Sequence, residues 1–161
     1  MKKIILAAAL LSGMVVNAAK DQGKMNVLVK VNQGCYLTDI QDAVFDAFDG
    51  TFFVDRKTDS GSISVICTTD VPYSIGLNEG EHAADAKRYM YNEKGDKKIH
   101  YELYSDSKYT TEWLDIGSDK TVDALGIGAE QSYVVYAQIP QGQTSVPVGL
   151  YQDVVTVTLE F

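Results

Sequence analysis

Side chains in an extended backbone alternate between two faces, and this two-residue period is written most plainly at the two ends of the chain. In residues 24–32 (KMNVLVKVN), Met25, Val27, Val29 and Val31 fall on one side. Lys24, Asn26, Lys30 and Asn32 fall on the other, with Leu28 the one misfit. Residues 151–161 repeat the pattern: Tyr151, Asp153, Val155, Val157, Leu159 and Phe161 share one face, Gln152, Val154, Thr156, Thr158 and Glu160 the other. Valine, β-branched, favours this conformation. Both segments therefore read as strands with one face to bury. Ending on an apolar aromatic, the second is expected to be fixed in a sheet, since unheld chain ends fray.

The first 19 residues stand outside this pattern. Lys2 and Lys3 precede an apolar run at residues 4–11, and small residues at 16–19 suit cleavage after Ala18 or Ala19. That is a secretory signal, too short for a membrane span. The expected division is a signal peptide at 1–19, an arm and joint at 20–34, and one domain at 35–161. No later segment is apolar for long enough to cross a bilayer, so the mature chain is expected to have no membrane span. Without Lys2 and Lys3, 12 basic residues face 22 acidic ones, a net charge of −10. Nucleic acids and anionic membrane surfaces need clustered Lys and Arg, so neither is an expected partner. Export and an even count make Cys35 and Cys67 a disulfide.

Between the ends lie further short strands with turn signals between them. Asp59-Ser60-Gly61 reads as a turn, and residues 62–68 as a strand with Ile63, Val65 and Cys67 on one face. Val71-Pro72 breaks it, and residues 73–77 start the next strand. Residues 78–87 form a polar loop, and 89–91 and 98–104 make a hairpin around Gly95. Residues 105–123 are loop-rich around Trp113, the sole tryptophan, and 131–139 form a strand ended by the turn at 140–143. Residues 36–50 are ambiguous. Ile40, Val44, Ala47 and Phe48 opposite Asp39, Asp42, Asp46 and Asp49 suit a short amphipathic helix, while a strand through 44–48 competes. Many short strands and little helix point to an all-β sandwich.

Catalysis finds no footing in these residues. His82 and His100 have no nucleophile motif beside them, and Ser105-Asp106-Ser107-Lys108 lacks the companions of a Ser-x-x-Lys enzyme. Gly126-Ile127-Gly128 lacks the third glycine and the setting of a dinucleotide loop. The aspartates at 39–49 lack the spacing of a calcium loop. No enzyme, cofactor or metal is expected. Ten tyrosines and Trp113 leave open a self-contained secreted module that binds carbohydrate or another surface.

The run at 64–68, Arg88-Tyr89-Met90, residues 101–104, Trp113, residues 133–136, Gly142-Gln143 and the close at 149–161 together resemble the spore-coat-protein-U-like domain, found in subunits of archaic chaperone–usher pili. The resemblance spans the whole mature chain, and the Gly149-to-Phe161 run is its most specific part. Two departures stand out: Phe45 is followed by Asp46 rather than glycine, and Trp113 by Leu114. The resemblance tilts residues 36–50 towards a strand. It implies an immunoglobulin-like β-sandwich lacking one strand. It also implies a periplasmic chaperone and an outer-membrane usher as partners, together with identical or related pilin subunits. Residues 20–32 would be the donor strand, inserting Met25, Val27, Val29 and Val31. The acceptor groove of the next subunit would be bordered by Tyr151, Val155, Val157, Leu159 and Phe161. The protein would pass through the periplasm into a surface pilus, as a shaft subunit supporting adhesion and biofilm formation.

Overall fold

The computed structural model describes residues 20–48, 53–92, 97–143 and 146–161. The expected signal peptide and the hairpin bend around Gly95 lie outside the described residues. The chain divides into two units, residues 1–30 and 31–161. In the first, residues 20–30 form no strand, and Met25, Val27, Leu28 and Val29 are more than four-fifths exposed.

The second unit is all-β, with no helix among the described residues. Its strands are β1 (Cys35–Gln41), β2 (Arg56–Cys67), β3 (Pro72–Leu77), β4 (Arg88–Tyr91), β5 (Lys98–Tyr104), β6 (Val122–Leu125), β7 (Glu130–Ile139) and β8 (Val157–Glu160). They form two antiparallel sheets, ordered β1-β2-β7-β5-β4 and β6-β3-β8. Inward residues alternate along each strand and meet in one core: Ile63 and Val65 of β2, Ile75 and Leu77 of β3, Tyr101 and Leu103 of β5, and Val135, Ala137 and Ile139 of β7. The Cys35–Cys67 disulfide ties the first residue of β1 to the last of β2. No helix among the described residues is long and apolar enough to cross a membrane.

The structure corrects three sequence expectations. Of the two alternatives left open for 36–50, the helix does not form among the described residues. Residues 35–41 are a strand paired with β2, as the resemblance implied, and 42–48 are neither helix nor strand. The helical spacing of the aspartates loses to backbone pairing that starts at a covalently fixed first rung. Asp59-Ser60-Gly61 is not a turn between strands but an irregularity inside β2, where the register against β7 shifts between Thr58 and Gly61. The Ser60 hydroxyl accepts the Val44 N–H there at 2.7 Å, so a turn-forming residue is satisfied without ending the strand. β8 covers 157–160 only; residues 151–156 run alongside other segments through one isolated bridge, Gln152 to Tyr91, and single bonds rather than a ladder.

Candidate functional site

The site grows from the edges of the two sheets. β1 pairs only with β2, and β8 only with β3, so among the described residues each has an edge without a hydrogen-bonded strand. The two strands belong to different sheets yet lie close together on one side of the sandwich. Residues directly opposite in an antiparallel pair point to the same face. Leu37 of β1 lies opposite Val65, and Ile40 opposite Ile63, both fully buried partners. Leu37 and Ile40 thus face the core, but they remain 38% and 49% exposed. On β8, Val157 lies opposite Leu77 and Leu159 opposite Ile75, again core-facing, and both are only half-buried. Both walls therefore present apolar inner residues that the described residues cover only in part.

The stretch leading into β8 is anchored on its paired side. Gln152 and Tyr91 exchange backbone bonds of 2.8 and 3.2 Å. The Glu81 and Asn78 N–H groups donate to the carbonyls of Val154 and Thr156, and the Asn78 side-chain oxygen accepts from the Thr156 N–H at 2.8 Å. Between them sits the Asp153 carboxylate, whose side chain is 2% exposed. The Tyr101 hydroxyl donates to it at 2.7 Å, the His82 backbone N–H at 3.2 Å, and His82 Nδ1 lies 2.8 Å away. Burial, then the bond to Asp153, pushes the Tyr101 phenol well above its ordinary pKa. Gly80 makes room: it adopts φ +84°, and a Cβ there would collide with the Asp153 carboxylate. Tyr151 and Val155 pack against the core on this same face, whereas Phe161 is 58% exposed.

A second anchor holds β3 to β4. Arg88 is buried, and its guanidinium donates to the carbonyls of Asn78 (2.8 Å), Leu77 (2.7 Å) and Trp113 (2.8 Å). Burial lowers its pKa, opposed by the nearby Tyr101, Glu112, Glu79 and Asp153. Trp113 is fully buried, its indole N–H donating to the Ile75 carbonyl at 2.8 Å. It is therefore no platform for a ligand. His100 Nδ1 lies 3.0 Å from the Arg88 carbonyl and Nε2 3.2 Å from Glu102, a structural pairing. Sequence reasoning picked out Trp113 and the 149–161 run but missed both anchors and the inward faces of Leu37 and Ile40. The only signal in the sequence was the placement of a glycine at 80 and an aspartate inside an apolar alternation.

The family model described as Spore Coat Protein U domain matches residues 21–158. No curated protein matches. Among solved structures, the chain is similar to one in the crystal structure of the CsuC–CsuE chaperone–tip adhesion subunit pre-assembly complex from archaic chaperone–usher Csu pili of Acinetobacter baumannii. That match has 24% identity and a TM-score of 0.58, and it covers 81% of this chain and 40% of that one. A weaker likeness, at 11% identity and a TM-score of 0.41, is to the E. coli Hda pilus minor tip subunit HdaB, covering 80% of each chain. The chain thus spans about two-fifths of the length of the first solved chain that it matches.

Proposed function

The chain belongs to the Spore Coat Protein U domain family, and from that premise we propose that it is a structural, non-catalytic subunit of a chaperone–usher surface pilus. Residues 1–19 direct export. In the periplasm a chaperone covers the gap between β1 and β8, and an outer-membrane usher exchanges that cover for the arm of the next subunit. The arm, residues 20–32, adds a strand between the two edges and seats Met25, Val27, Val29 and Val31 among Leu37, Ile40, Tyr151, Val155, Val157 and Leu159. Backbone bonds supply affinity in such strand addition, and alternate side chains set the register. An arm to donate and an open edge to accept are what a shaft position needs, in a fibre that supports adhesion and biofilm formation.

The observation that carries this reading is the matched pair of half-covered inner faces on β1 and β8, in a chain whose arm has the same two-residue period. Burying four such side chains is worth about 6–12 kcal/mol as an upper estimate. A whole domain is typically stable by about 5–15 kcal/mol, so one donated strand rivals the fold itself. Head-to-tail donation that never closes makes a filament.

Deleting residues 20–32 tests the proposal: the variant accepts a strand but cannot donate one, so it caps chains and forms no SDS-resistant polymer of its own. Val29→Asp blocks assembly in the same way, by burying a charge without a partner. Polymers from the deleted chain would end the proposal. The competing carbohydrate-binding reading gains nothing from Trp113, which is buried.

A further inference from the structure

Charge divides this chain along the same line as the proposed donor and acceptor. All acidic residues but Asp21 (21 of 22), and 9 of the 14 basic ones, lie in residues 35–161, a net charge of −12. Residues 20–34 carry Lys20, Lys24 and Lys30 against Asp21, a net charge of +2. The two edge strands themselves carry no basic residue: no Lys or Arg lies between Lys30 and Arg56, or after Lys120. β1 and the residues just after it therefore carry acids alone, with Asp39 and Asp42 exposed, whereas Asp46 shares a cleft with Arg56 and Lys57. The strand on the other side of the gap ends in exposed Glu160, and exposed Glu130 accepts the Thr38 hydroxyl of β1 at 2.9 Å. In the arm, all three lysines occupy even positions, the row opposite Met25, Val27, Val29 and Val31.

We propose that the open edge between β1 and β8 is an electrostatic docking surface for the lysine row of a second copy's arm, so that charge selects and speeds the insertion that apolar burial then makes permanent. This rests on the donor-strand reading above and adds to it the means by which a partner is chosen. An arm seated with its apolar row inward turns Lys20, Lys24 and Lys30 outward, between the outward rows of β1 and β8 that hold Asp39 and Glu160. Opposite potentials steer encounter and penalise wrong partners more than they deepen the final complex, and salt screens them.

The test is the growth rate of SDS-resistant polymer from the exported chain, followed at about 20 mM and about 500 mM NaCl. The unaltered chain is expected to slow by about tenfold or more at the higher salt. Lys24→Glu with Lys30→Glu, changes in the arm that leave the domain untouched, should slow growth by about tenfold at low salt and remove most of the salt dependence. Adding Asp39→Lys and Glu160→Lys to that variant should restore growth to within about threefold of the original, a rescue that no loss of packing would give. Thermal melts of each variant establish that the domain folds. Polymer that grows at one rate in all chains and salts overturns this inference alone. An unaltered chain that forms no polymer at any salt overturns the donor-strand reading, and this inference with it.

Discussion

Asp153 interrupts an apolar alternation with a carboxylate, and the structure gives the reason: it is the point at which the last stretch of chain is tied to the loop at residues 78–82 and to β5. Asp153→Asn keeps the shape but weakens bonds to a buried phenol and a part-exposed imidazole, so it is expected to cost about 1–3 kcal/mol in urea unfolding. Tyr101→Phe removes one partner and should cost less. Equal stability in the Asn variant would contradict the anchor. Four tyrosines offer a second measurement. Burial holds Tyr73, Tyr101, Tyr104 and Tyr109 above the ordinary phenol value, with hydrogen bonds to Tyr133, Asp153 and Glu102 adding to it in the first three. A raised folded pKa means that stability is fully present below the unfolded value of about 10 and is lost as pH rises through the folded one. Absorbance titration at pH 11 should therefore leave a share of the ten tyrosines un-ionised until the fold gives way at still higher pH. A single smooth titration of all ten would count against this.

Legibility varied with how local each element's cause is. β5 has the bounds the alternation predicted, and β7 begins one residue earlier than expected, because their inward rows (Ile99, Tyr101 and Leu103; Val135, Ala137 and Ile139) are written without interruption. β6 went unread, since only Val122 and Ala124 of its four residues pack inward and so short a run sets no period. The disulfide was legible from cysteine count and the expected export; the strand it fixes was legible only through the resemblance, because Asp39 and Asp42 mimic a helical face. The open edges were legible as an unburied alternation at each end, but Leu37 and Ile40 show their role only through the register against β2. Arg88 entered only as part of the resemblance, and its anchoring role could not be read, since its partners are carbonyls 10 to 25 residues distant. At this scale the disulfide makes a prediction. Joining residues 32 apart, it should contribute about 3.5–4 kcal/mol through the unfolded chain, so replacing Cys35 and Cys67 together by Ser should lower the urea-unfolding free energy by about that amount. A loss under about 1 kcal/mol would show that β1 is held mainly by its pairing and packing.

For the molecule as a whole, the proposal makes the domain an unfinished object whose completion can be supplied from within. Moving residues 20–32 from the front of the chain to a position after Phe161, through a flexible linker of about ten residues, should yield a monomer that melts well above the parent and does not polymerise. Light scattering and a thermal melt decide it; a fusion that still aggregates or melts no higher would mean that the gap between β1 and β8 is not the arm's receptor. The acidic surface fits the same picture, because self-repulsion keeps exposed edges of separate subunits from meeting directly.

The position of the Cys35–Cys67 bridge has a mechanical consequence. It closes the outermost rung of the β1–β2 ladder, one residue beyond Gly34, where the arm ends. Tension pulled through a row of linked subunits would enter each one at that point, in the geometry that peels a strand from its neighbour bond by bond. A covalent first rung diverts the load into β2, an inner strand paired on both sides, and leaves the zipper beneath it unstressed.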